Sequence, residues 1–119
     1  MNLGVEYMSS SYIKNRTELE LSELHSLALD LVEEGLRAAD PYRAVLRAVR
    51  RNGKNIVVED VSFEVNGAVH VVGFGKASKR MAEGIFAALG DLIAGGIVIS
   101  PEGSGKVGPI EIVKGDHPI

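Results

Sequence analysis

Val69-His70-Val71-Val72-Gly73-Phe74-Gly75-Lys76-Ala77-Ser78 runs an apolar strand into a glycine-framed turn, with a lysine at the mouth of a helix. Gly73 and Gly75 permit positive φ and close backbone approach, and the N–H groups opening the next helix point at the space before it. Lys76 adds a mobile point charge, so the stretch outlines an anion site with Gly73, Gly75, Ala77 and Ser78 as its cradle. Lys79 and Arg80 lie near the positive end of the helix dipole, where cations typically cost about 0.3–1 kcal/mol each. Either an anion offsets them or they are solvated surface residues, with Lys79 four residues before Glu83 and in reach of an ordinary helix pair.

Downstream, Met81, Ala82, Ile85, Ala88 and Leu89 recur at helical spacing and Gly90 ends the helix. Gly95-Gly96 leads into a strand at Ile97-Val98-Ile99, so residues 68–100 form one β-α-β unit with an expected right-handed crossover. Ala68 to Val72 lacks strict alternation and is expected to be buried on both faces, as central parallel strands are. Residues 101–109 read as a loop and 110–113 as a third strand. That loop is shorter than a parallel crossover normally takes, which leaves the third strand's direction open.

Upstream, Val61, Phe63 and Val65 alternate with polar residues, and Asn66-Gly67 suits a tight hairpin turn into Ala68. Asp40 is an N-cap with Pro41 at the first helical position, and Tyr42, Val45, Leu46 and Val49 form the apolar stripe. Arg43, Arg47, Arg50 and Arg51 fall on the other side of that helix. They could form a phosphate or nucleic-acid surface, but three of them lie in its last turns, where cations complement the dipole, and Asn52-Gly53 supplies a left-handed stop just beyond, which favours the structural reading. Thr17-Glu18-Leu19-Glu20 reads as a capping box, with Ser22 as a later alternative cap. Leu24, Leu27, Ala28, Leu31, Gly35 and Leu36 give residues 18–39 a face that should be buried.

The 119 residues suit one domain, and 45% hydrophobic with 24% charged residues describes a globular chain. A net charge of −3 offers no global attraction to nucleic acid. The absence of cysteine excludes disulfides, thiolate metal sites and a cysteine nucleophile, and fits a reducing, cytoplasmic address. Residues 1–17 are polar, with no apolar core of signal-peptide length and no membrane-spanning run, and are expected to be a flexible segment ahead of an α/β domain over 18–119.

A Walker A loop is rejected, because His70 and Ala77 stand where it needs a glycine and a Ser or Thr. The dinucleotide fingerprint matches weakly through Gly73, Gly75 and Ser78, with Glu102 just past the next strand as its acidic partner. His25 and His70 read as structural or exposed. His117 differs, since it follows a strand where open α/β sheets place ligands.

Taken together, Asp40-Pro41-Tyr42-Arg43-Ala44-Val45, Val71 to Ser78 with Met81-Ala82, Gly96-Ile97-Val98-Ile99, and Ile110 to Val113 before Gly115-Asp116-His117-Pro118 resemble the N-terminal domain of the glycerate 2-kinase family. The resemblance covers roughly residues 22–119 and only the first part of the family's pattern. It implies a Rossmann-like, mostly parallel sheet with flanking helices, as an incomplete N-terminal part of a larger two-domain fold. It further implies ATP-dependent phosphorylation of D-glycerate at the 2-hydroxyl with Mg, with Lys76 at the active site and His117 in the family's Gly-His-Pro loop. Asp116 interrupts that loop pattern here. The expected metal ligands belong to the missing second domain, and one wall of a cleft alone should be nearly inactive. The alternative is a non-catalytic α/β module that binds a nucleotide or phosphate ligand at Gly73 to Ser78. An uncovered sheet face also suggests either a homo-oligomer or a missing C-terminal domain as partner.

Overall fold

A computed structural model describes residues 11–116. The chain forms two compact units, Met1–Ala39 and Asp40–Ile119. In the first, α1 (Arg16–Leu19) and α2 (Glu23–Ala39) replace the single helix expected from residue 18. Ser22 is the cap that is used: its hydroxyl accepts the His25 N–H at 3.4 Å, and its carbonyl accepts the Ser26 N–H. Glu20, expected inside the helix, accepts instead from the Ser26 hydroxyl, while Arg16 pairs with Asp30 at 2.6 Å. The expected buried face of α2 is not seen, since Leu24, Leu27 and Leu31 are exposed. The N–H groups of Tyr12 and Ile13 donate to the buried Glu33 carboxylate, which fixes the described start of the chain to α2. The first ten positions of the expected flexible segment lie outside the described residues.

The second unit opens with α3 (Pro41–Ala48), capped as expected by Asp40, whose carboxylate accepts the Tyr42 N–H at 2.9 Å. This helix stops earlier than its cation stripe suggests. Val49–Asn52 is β1, which pairs antiparallel with β2 (Asn55–Val58), which pairs with β3 (Val61–Glu64). Asn52-Gly53 therefore turns a hairpin rather than ending a helix. Arg50 and Arg51 are strand residues, and Arg51 reaches the Leu89 carbonyl and the Asp91 carboxylate. Val49, expected as the last residue of the helical stripe, is β-branched, and it and the three residues after it pair in extended conformation, so tertiary partners override the helical period. Asn66-Gly67 makes no hairpin either, because β3 and its successor belong to different sheets.

The second sheet holds β4 (Val69–Phe74), β5 (Ile93–Ser100), β6 (Gly105–Val107) and β7 (Ile110–Lys114) in the order β4-β5-β7-β6. β4, β5 and β7 are mutually parallel along the order, which settles the direction of the third strand. The short connection is reconciled by β6, read from sequence as loop. The chain passes beyond the place β7 will take, runs back as β6, and turns at Gly108-Pro109 into β7 antiparallel to it.

Helix α4 (Ser78–Leu89) ends at Gly90 as expected, followed by a 3₁₀ turn, and covers one sheet face. Ala82, Leu89, Ile93, Val98, Ile110 and Ile112 make the core there. Gly84 lets α3 come close, since a Cβ at this position would stand 2.9 Å from both the Tyr42 carbonyl oxygen and Val45 Cβ. Met81, expected in the core, faces outward. β4 is not buried on both faces: its residues alternate, with Val72 and Phe74 exposed. Among the described residues no helix is long and apolar enough to cross a membrane.

Candidate functional site

The parallel strands end together, and their carboxyl ends enclose a cleft of about 570 Å³ lined by Phe74, Gly75 and Lys76 at the end of β4, Ile99, Ser100 and Pro101 at the end of β5, and Gly115 and Asp116 just after β7. Open α/β sheets place ligands at this edge, because the loops there are free of ladder pairing and the helix N-termini point the same way. Two backbone bonds carry the parallel ladders past the strands: the Gly75 N–H donates to Ile99 O at 3.1 Å, and the Gly115 N–H donates to Ser100 O at 3.0 Å. The lips of the cleft are thereby held in register.

Gly75 takes φ +114°, a conformation an L side chain rarely adopts, so the turn depends on glycine at this position. Ser78, buried at the start of α4, closes the turn. Its hydroxyl lies 2.6 Å from Gly75 O and 2.9 Å from Ile99 O, and its single proton serves one carbonyl at a time. Its N–H donates to Gly75 O at 3.2 Å. Lys76 stands exposed on the outside of this turn, facing the cleft.

Of the residues singled out from sequence, Lys76 and Gly75 line the cleft. Gly73 and Ser78 stand behind it, Gly73 against Val98 and Ser78 on the two carbonyls, and Ala77 precedes the helix as its cap residue. His117 lies outside the described residues, while its neighbours Gly115 and Asp116 form the β7 lip. Phe74, Ser100 and Pro101 were not singled out. Their signal was positional, since Ser100 directly follows the second apolar strand and Phe74 separates the two glycines. Ser100 is fully buried and its hydroxyl oxygen accepts the Glu102 N–H at 3.3 Å, which shapes the β5 lip.

Arg80 belongs to a different arrangement. Its guanidinium lies 3.0 Å from the buried Asp40 carboxylate and 2.5 Å from Glu83, and sits 5.1 Å from the Tyr42 ring centroid. Partial burial works to lower its pKa, but the carboxylates of Glu83 and Asp40 outweigh this and hold the guanidinium above its ordinary value. The helix pair expected for Lys79 and Glu83 is made by Arg80 instead. Arg80 thus joins α3 to α4 and does not belong to the cleft lining.

Among the described residues no three His, Cys, Asp or Glu side chains come together as a metal cage. The cleft's own side-chain oxygen donors are Ser100 and Asp116, and Lys76 beside them would oppose a cation.

Residues 27–119 match the family described as a domain of unknown function, DUF4147. Over 98 residues the chain is 38% identical to a glycerate 2-kinase from Pyrococcus horikoshii, a match that takes in 82% of this chain and 22% of that protein. A solved structure, the PH0495 protein from Pyrococcus horikoshii OT3, superposes with a TM-score of 0.67 at 35% identity, again over 82% of this chain and 22% of that one. The chain thus spans about a fifth of the length of the relatives it matches. The four-motif resemblance read from sequence and these matches agree.

Proposed function

The chain belongs to the DUF4147 family, and from that membership we propose that it is the N-terminal portion of a glycerate 2-kinase, supplying one wall of a site that phosphorylates D-glycerate with ATP. The observation that carries this reading is Lys76, set on a clamped turn in the cleft at the carboxyl ends of three parallel strands. In the reaction the 2-hydroxyl oxygen of D-glycerate forms a bond to the γ-phosphorus of ATP. The bond to the bridging oxygen breaks, its electron pair leaves with ADP, and the hydroxyl proton is released. Charge spreads over the equatorial phosphoryl oxygens, and a positioned ammonium is the kind of group that stabilises it.

Lys76 is the catalytic residue of this reading, and the Gly75 turn orients it. Gly73, Ala77 and Ser78 support that turn from behind, and His117 would join the substrate side. A bound Mg ion neutralises phosphate charge in such reactions, but the cleft residues make no cage for one. The metal ligands would come from residues outside the described cleft. An ATP-dependent reaction and a cysteine-free chain both fit the cytoplasm, which is the compartment we propose.

The test is an amide NMR titration of the chain with D-glycerate, ATP and inorganic phosphate, paired with a kinase assay. D-Glycerate is expected to shift Gly75 to Ser78 and Gly115-Asp116, Lys76→Ala to abolish the response, and turnover by the chain alone to stay near background. Response to ATP or phosphate without response to D-glycerate would instead identify a non-catalytic nucleotide or phosphate module. Robust turnover by the chain alone would contradict the view of it as a single wall.

A further inference from the structure

The two faces of the four-stranded sheet are unlike. One lies under α4, where Val98, Ile110 and Ile112 are buried. On the other, the register sets Val72 beside Ile97, and Phe74 beside Ile99, which in turn neighbours Val113. Val72 and Phe74 are 78% and 82% exposed, Ile97 and Ile99 45% and 47%. Large apolar side chains in adjoining cross-strand rows form a contiguous patch, unlike the single exposed hydrophobics normal on a surface. Parallel strands occur almost only in sheets covered on both faces.

The patch also continues into the cleft, because Phe74 and Ile99 belong to both. A polypeptide that covers this face therefore walls the site. The relatives this chain matches are more than four times its matched length. Most of their fold is thus built from polypeptide that this chain does not span. A second copy would be a poorer occupant. Two-fold pairing brings identical surfaces together, and another copy adds no described cluster of metal-ligating side chains to the cleft.

We propose that the Val72–Phe74–Ile97–Ile99 face is the docking surface for the portion of the kinase fold that this chain does not span, which meets it with an apolar helix stripe and completes the cleft. The identity of the partner rests on the kinase reading; the docking surface rests on the sheet. The helix follows from sheet architecture, since helices are what cover the faces of parallel sheets.

The experiment co-expresses the full chain with the part of the Pyrococcus horikoshii glycerate 2-kinase outside the matched segment, with a tag on that part alone. Capture of the chain as a one-to-one complex is expected, with hydroxyl-radical labelling of Phe74 strong in the free chain and suppressed in the complex. Ile97→Asn together with Val72→Asn should cut capture about tenfold or more while the circular dichroism spectrum stays that of the folded chain. A folded chain that is not captured overturns the proposal. So does a free chain in which Phe74 is already protected, whether as a monomer or as a homodimer. Capture without Lys76-dependent turnover upholds the docking surface and removes the kinase reading, so the two fail separately.

Discussion

Asp40 caps α3 through the Tyr42 N–H and holds Arg80, so a single buried carboxylate secures a helix start and a contact between helices. Asp40→Ala removes the cap, typically about 0.5–2 kcal/mol, and strands part of the Arg80 charge. Arg80 is itself partly exposed, so the second loss falls short of a fully buried pair, and the sum should be about 2–3 kcal/mol in a urea titration. Lys76→Ala is the contrasting case. Its side chain is exposed, so stability should change by less than about 0.5 kcal/mol while the response to D-glycerate disappears. Stability and ligand response thus separate the residue that builds the fold from the one assigned to chemistry.

At the scale of elements, Gly84 decides how closely α3 and α4 approach. Alanine favours a helix by about 1 kcal/mol over glycine, but a Cβ 2.9 Å from Val45 Cβ overpacks the contact, at a cost of about 1–3 kcal/mol. Gly84→Ala should therefore destabilise by about 1 kcal/mol, measured by thermal unfolding. The contact between the described N-terminal residues and α2 should depend on pH. The Tyr12 N–H holds the Glu33 carboxylate below its ordinary pKa; desolvation opposes this, and Ser11, Ile13 and Arg37 add to it. A lowered folded pKa means the contribution is complete above the unfolded value and is lost as pH falls through the folded one. The protection factor of the Tyr12 amide, its observed exchange corrected for the intrinsic rate at each pH, should fall over that acidic window and stay level above it.

Elements fixed by local chemistry were legible in the sequence: the Asp40-Pro41 start, the Gly90 stop and the β4–turn–α4 passage. What was not legible depended on partners far along the chain. The arginines after Ala48 kept a helical period, yet pairing with β2 drew Val49–Asn52 into a strand. β6 is three residues long and glycine-led, too short to show a period, and it exists because β7 pairs with it. At the cleft, Lys76 was legible because the turn is contiguous in sequence. Ser100 was not, because only the meeting of three strand ends gives it a place there.

For the molecule as a whole, the core beneath α4 is small, and the loss of one side chain should be felt throughout the Asp40–Ile119 unit. Ile110 is fully buried among Ala82, Val98 and Ile112. Ile110→Ala should cost about 2–5 kcal/mol. A unit of this size has only about 4–12 kcal/mol in total, so the variant should unfold at markedly lower urea concentration in a single transition.

The detour through β6 also sets an order of assembly. β6 and β7 are neighbours joined by two residues, whereas β4 with β5 and β5 with β7 must close longer loops before any pairing rewards them. On loop-closure grounds the β6–β7 hairpin is expected to pair before β7 joins β5, carrying Gly115 and Asp116 with it. The three-sided cleft is then expected to be complete only once β7 has joined β5. In a stopped-flow experiment, far-ultraviolet ellipticity should recover before the response to D-glycerate does.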